Sequence, residues 1–120
     1  MKTVLIIEDN QILAENFARI LRKDFIVLQS SSAGDAVSQI DANPPDLILL
    51  DILLDGHSAF ALLHELQSYY DTADIPVIIC SDLADNLEEK PLKEYGIKAI
   101  LDKATTSPRE ILEVCKNATR

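Results

Sequence analysis

Short, unbroken apolar runs alternate along this chain with segments in which apolar residues return every three or four positions. Thr3-Val4-Leu5-Ile6-Ile7 is continuous and β-branched, the pattern of a strand covered on both faces. Ile12, Leu13, Phe17, Ile20 and Leu21 then mark an amphipathic helix from about residue 10 to 23, packed on a sheet. Phe25 to Leu28 reads as a second, shorter strand, and Ala33 to Ile40 as a helix with Ser32 at its cap and Asn43-Pro44-Pro45 as its stop. Asp46 to Asp51 is a third strand with four consecutive apolar residues, and it ends on an aspartate. Phe60, Leu62, Leu63 and Leu66 give a helix, Pro76 to Cys80 a fourth strand and Ile97 to Leu101 a fifth. Pro91 interrupts the helical region between those two strands, which predicts a loop over Asp82 to Glu89 and a short helix opening near Lys90. Ser107-Pro108 opens the last helix, through Ile111, Leu112 and Cys115, with serine at the cap and proline at the first helical position. Five strands alternating with five helices over short connections imply an α/β fold: a parallel sheet, helices on both faces, right-handed crossovers.

At 120 residues and 48% hydrophobic, the chain has enough material for one core and too little for two, so residues 1–120 are read as one domain. Charge narrows the partners. Twenty acids against 11 cations leave a net −9, a surface that repels phosphate backbones and anionic lipid, so neither direct nucleic-acid contact nor membrane binding is expected. A divalent cation is the natural companion wherever the acids converge. Cys80 and Cys115 have neither metal-ligand spacing nor the density of a disulfide scaffold; both are read as buried core filler in a reducing, cytoplasmic setting. No apolar stretch approaches the roughly 20 residues of a membrane span, and the amino end lacks the pattern of a secretion signal.

In a parallel sheet every carboxyl strand end faces the same edge, and ligands bind there. Four of the five ends carry reactive groups: Glu8 and Asp9 after the first strand, Asp51 at the third, Ser81 at the fourth and Lys103 at the fifth. Taken singly, each has a plain explanation: an aspartate as turn former or helix cap, as Asp9 could be for the first helix, and a lysine as a solvated charge. As a set they point elsewhere. Three carboxylates at one edge raise one another's proton affinity unless a cation sits among them, and hard oxygen ligands suit Mg²⁺, which also coordinates phosphate oxygens. A hydroxyl and an ammonium alongside supply what a transferring phosphoryl group requires.

In these residues, and in the runs Val4-Leu5-Ile6-Ile7-Glu8-Asp9, Asp46-Leu47-Ile48-Leu49-Leu50-Asp51-Ile52-Leu53-Leu54, Cys80-Ser81 and Leu101-Asp102-Lys103, the whole chain resembles the receiver domains of response regulators. The resemblance implies the CheY-like (flavodoxin-like) sheet order 2-1-3-4-5 and a cytoplasmic phosphorelay role. It implies that Asp51 accepts phosphate from a phosphohistidine on a sensor histidine kinase or phosphotransfer protein, and that the domain signals to a downstream effector domain or protein. Asp9 and Asp51 would bind Mg²⁺ directly, Glu8 through water and Leu53 through its backbone carbonyl. Ser81 and Lys103 would each engage a phosphoryl oxygen.

The chain also departs from that family's pattern. Ile100 stands where an aromatic switch residue is usual, Ala104 where a proline follows the lysine, Asp82 where a small residue follows the hydroxyl, and Asp55-Gly56-His57 replaces the familiar Pro-Gly-Met. A non-proline cis bond costs ~3 kcal/mol, so the Lys103–Ala104 peptide is expected to be trans. His57 is read as a solvated loop residue rather than a proton shuttle. Ile100, Ala104 and Asp82 support a rival reading, a degenerate receiver that binds partners without phosphate. A phosphohydrolase of the haloacid dehalogenase type needs a second acid where Leu53 stands, and a flavodoxin-like electron carrier needs a phosphate loop where Glu8-Asp9 stands.

Overall fold

The structure is a computed structural model that describes residues 1–51, 53–54, 57–69, 72–81 and 96–120. In chain order its elements are β1 (Lys2–Ile7), α1 (Gln11–Leu21), β2 (Phe25–Ser30), α2 (Ala33–Ala42), β3 (Leu47–Leu50), β4 (Leu53–Leu54), β5 (His57–Ser58), α3 (Ala59–Ser68), β6 (Val77–Ser81), β7 (Ile97–Asp102) and α4 (Pro108–Ala118). The helix expected near Lys90 and Pro91, the loop from Asp82 to Glu89, and Asp55 and Gly56 lie outside the described residues, as does the side chain of His57.

β2, β1, β3, β6 and β7 form one sheet in that order, and every pairing within it is parallel. Counting only these five strands, this is the 2-1-3-4-5 order that the resemblance implies. β4 and β5 form a separate antiparallel pair, Leu53 opposite Ser58 and Leu54 opposite His57, which the hydrophobic pattern does not reveal because each strand is only two residues long. β2 runs two residues further than its apolar run. It pairs with β1 from Lys2↔Phe25 to Ile7↔Ser30, and as an edge strand it carries the polar Gln29 and Ser30 to the carboxyl edge.

The central strands β3 and β6 are buried at every residue, and β1 at its last four. Alternation then divides their side chains between two cores. Leu5, Ile7, Ile48, Leu50, Val77 and Ile79 pack with Ala36 and Ile40 of α2 and Leu62, Leu63 and Leu66 of α3. Val4, Ile6, Leu47, Leu49, Ile78 and Cys80 pack with Phe17 and Leu21 of α1 and Ile111 and Cys115 of α4. Both cysteines lie outside any disulfide in this second core, and burial pushes the Cys115 thiol up to about 12.

Local chemistry sets the helix ends. Asn10 caps α1, its side chain accepting from the amides of Ile12 (3.0 Å) and Leu13 (3.1 Å). Ser32 caps α2 through the Asp35 amide (3.2 Å), and Asn43, held extended ahead of Pro44, ends it. Ser107 and Glu110 form a reciprocal capping box on α4 behind Pro108. Gly96 enters β7 at φ +76°, where any Cβ would also press Gln67 at 3.2 Å.

One expectation fails. Ile12 is 74% exposed, although its spacing places it on the apolar stripe. The buried face of α1 is Ala14, Phe17, Ala18 and Leu21. Ile12 stands two residues before Ala14 and is turned away from it by about 200° of helix. The small alanines define the stripe, and a reading weighted towards large residues misses them. Replacing Ile12 by alanine should therefore change stability by no more than about 0.5 kcal/mol. Leu49→Ala should cost about 2–5 kcal/mol, and urea unfolding midpoints of the two variants distinguish these outcomes.

Candidate functional site

The carboxyl edge is assembled by backbone bonds that run one residue past the strands. The Glu8 amide donates to the Ser30 carbonyl at 3.0 Å, the Asp51 amide to the Ile7 carbonyl at 3.0 Å, and the Lys103 amide to the Ser81 carbonyl at 3.2 Å. Glu8, Asp51 and Lys103 are thereby each held by the strand beside them. Glu8, Asp51 and Ser81 are all buried, at 3%, 8% and 1% exposure, while Asp9 is exposed.

One ligand oxygen from each of Glu8, Asp9 and Asp51 lies within 4.8 Å of the others. The Lys103 ammonium approaches from β7, 3.1 and 3.2 Å from the two Glu8 oxygens and 3.3 Å from Asp51 Oδ2. Burial, then a hydrogen bond with Asp51 and its charge, push the Glu8 carboxyl up to about 7 against the opposing pull of Lys103. Burial works against the Lys103 ammonium, but the charges of Asp51 and Glu8 outweigh it and raise its proton affinity. When all four groups are ionised, three carboxylates and one ammonium leave two negative charges. Oxygen donors of that number and residual charge fit a hard divalent cation such as Mg²⁺.

The structure brings together Glu8, Asp9, Asp51 and Lys103, with Ser81 joined to Lys103 through the backbone. Leu53 opens β4, two residues beyond Asp51. The plain explanation for Asp9 is set aside, since Asn10 performs the capping of α1. Ile100 is half-buried against the core shared with α2 and α3. No cis peptide occurs among the described residues, so Lys103–Ala104 is trans as expected. Asp82 lies outside the described residues.

Two contributors escape the sequence reading. Ser30 lies 4% exposed, and its carbonyl fixes Glu8. Asp102 accepts the Ala104 amide on Oδ1 at 2.7 Å and the Thr106 amide on its carbonyl at 3.0 Å, folding the turn after Lys103. An aspartate at a strand end with a small residue two positions on is the available signal for such a turn.

Comparison with known proteins agrees with the fold. A family model of the response regulator receiver domain matches residues 4–116. The chain is 30% identical over 115 residues to protein-glutamate methylesterase/protein-glutamine glutaminase 2 of Oleidesulfovibrio alaskensis, covering 92% of this chain but 32% of that protein. It thus spans about a third of that relative's length. With the polar-differentiation response regulator DivK of Brucella ovis it shares 28% identity over 111 residues, 92% of this chain and 90% of DivK. The receiver domain (CheY-like) of Methylobacillus flagellatus superposes with a TM-score of 0.84 at 20% identity, covering 98% of both chains, a likeness of fold. Among the described residues no helix is long and apolar enough to cross a membrane.

The Glu8 shift has a direction that can be measured. Its proton is held more tightly when folded than the ordinary value of 4.5, so the stability it contributes is complete below about 4.5 and is lost as pH rises through about 7. Without divalent metal, the urea midpoint should fall over that window, and Glu8→Gln should flatten the fall; an equal fall in the variant would refute this assignment.

Proposed function

Because the chain belongs to the response regulator receiver domain family, we propose that it is a phosphoacceptor switch whose nucleophile is Asp51. The observation that carries the reading is the convergence of three carboxylates and a lysine at one edge of the sheet. A carboxylate oxygen of Asp51 attacks the phosphorus of a phosphohistidine on a sensor histidine kinase or phosphotransfer protein. The P–N bond breaks, the imidazole leaves, and an aspartyl phosphate remains on this chain.

Glu8, Asp9 and Asp51 would hold Mg²⁺, with Glu8 acting through water and the backbone carbonyl of Leu53 contributing. When bound, the ion supplies positive charge to phosphoryl oxygens and so lowers the cost of bringing an anion to an acidic edge. Lys103, already 3.3 Å from Asp51 Oδ2, pairs with one phosphoryl oxygen, and the Ser81 hydroxyl donates to another. Positioning and charge neutralisation account for the transfer and for the later hydrolysis. The phosphorylated surface then signals to a downstream effector domain or protein. Two buried cysteines outside any disulfide fit a reducing compartment, and we place the domain, residues 1–120, in the cytoplasm without direct contact to nucleic acid or membrane.

Ile100 favours a second reading, a degenerate receiver that binds its partner without phosphate. It is a half-buried aliphatic residue where the family usually keeps a mobile aromatic ring. One experiment separates the two. Incubated with acetyl phosphate and Mg²⁺, the protein should gain a single phosphoryl group by intact mass. The adduct should vanish in Asp51→Asn and on chelating the metal, and Lys103→Ala should slow its formation roughly 10²-fold. A folded parent protein that takes no phosphoryl group favours the phosphate-independent reading.

A further inference from the structure

The side chain of Lys103 has four rotatable carbon bonds, yet its ammonium reaches two carboxylates in a site where it is only 10% exposed. The carboxylates attract it but do not determine where its backbone sits. On the amino side, the Lys103 amide is bonded to the Ser81 carbonyl, which continues the β6–β7 ladder by one residue. On the carboxyl side the ladder has ended, and the constraint comes from Asp102 alone among the bonds described. Its carboxylate takes the next amide, Ala104, at 2.7 Å, and its carbonyl takes Thr106 at 3.0 Å. Both peptide planes flanking Lys103 are thus fixed.

We propose that Asp102 is a positioning residue: by clamping the Ala104 amide across Lys103, it aims the lysine at Glu8 and Asp51. The contacts of 3.1 to 3.3 Å are near the long end of hydrogen-bond distances, so a backbone shift of about 1 Å would break them. An asparagine at this position keeps an oxygen in the same place to accept the amide and favours the same turn, whereas alanine removes the acceptor. The amide bond rather than the negative charge is the working part.

The kinetic arm of the test rests on the phosphoacceptor reading; a second arm does not. Acetylation of lysines by an N-hydroxysuccinimide ester, read peptide by peptide, should label Lys103 several-fold faster in Asp102→Ala than in the parent, with exposed Lys98 as internal reference and the urea midpoint as a check on the fold. Asp102→Asn should label like the parent. With acetyl phosphate, Asp102→Ala should form the adduct about tenfold more slowly, Asp102→Asn should stay near the parental rate, and Asp102→Ala should add no further loss to Lys103→Ala. Unchanged Lys103 labelling in Asp102→Ala overturns the proposal whether or not the parent accepts phosphate. So does an asparagine variant as impaired as alanine, or a further loss on top of Lys103→Ala. A parent that accepts no phosphoryl group defeats the phosphoacceptor reading only, and the labelling still decides the role of Asp102.

Discussion

A parallel strand can be joined to its neighbour only by a crossover that returns to the same starting edge. That constraint governs this molecule. β3 and β6 are buried along their whole length, so helices must lie on both sides of the sheet, and each must carry the chain back before the next strand begins. All five strands therefore finish at one edge, and whatever residues follow them share a common space. Close packing fixes that space, because a one-residue change of register would carry each side chain out of the core it fits and into the other one.

The same constraint creates an electrostatic conflict. Carboxylates delivered from separate strands meet where burial withholds water from two of them, Glu8 and Asp51. Lys103 offsets part of the repulsion, while burial first, and then the hydrogen bond and charge of Asp51, raise the proton affinity of Glu8. A site left in this condition is receptive to further positive charge. Folding free energy from the two cores sustains an arrangement that the acidic groups alone would disfavour.

The sequence was most legible where burial was most complete. Val4 to Ile7, Leu47 to Leu50 and Val77 to Cys80 declare themselves because two-sided cover demands unbroken apolar runs, and the reactive residues follow from the strand ends. It was less legible where small or polar residues carry the structure. Ala14 and Ala18 define the buried face of α1, and Ile12 was misplaced for that reason. Gln29 and Ser30 extend β2 through backbone pairing, which side-chain pattern does not encode. Ser30 and Asp102 contribute through a carbonyl and a turn, and neither role has a hydrophobic signature.

The second core holds two thiols from different layers, Cys80 on the sheet and Cys115 on α4. Burial keeps the Cys115 proton on its sulfur, and a thiol reacts with electrophiles through its thiolate. Both groups are shielded from solvent while α4 lies against the sheet, and separation of the two layers would expose them together. The chain thus carries its own alkylation clock for the breathing of that layer, with no probe to introduce and no surface residue to alter.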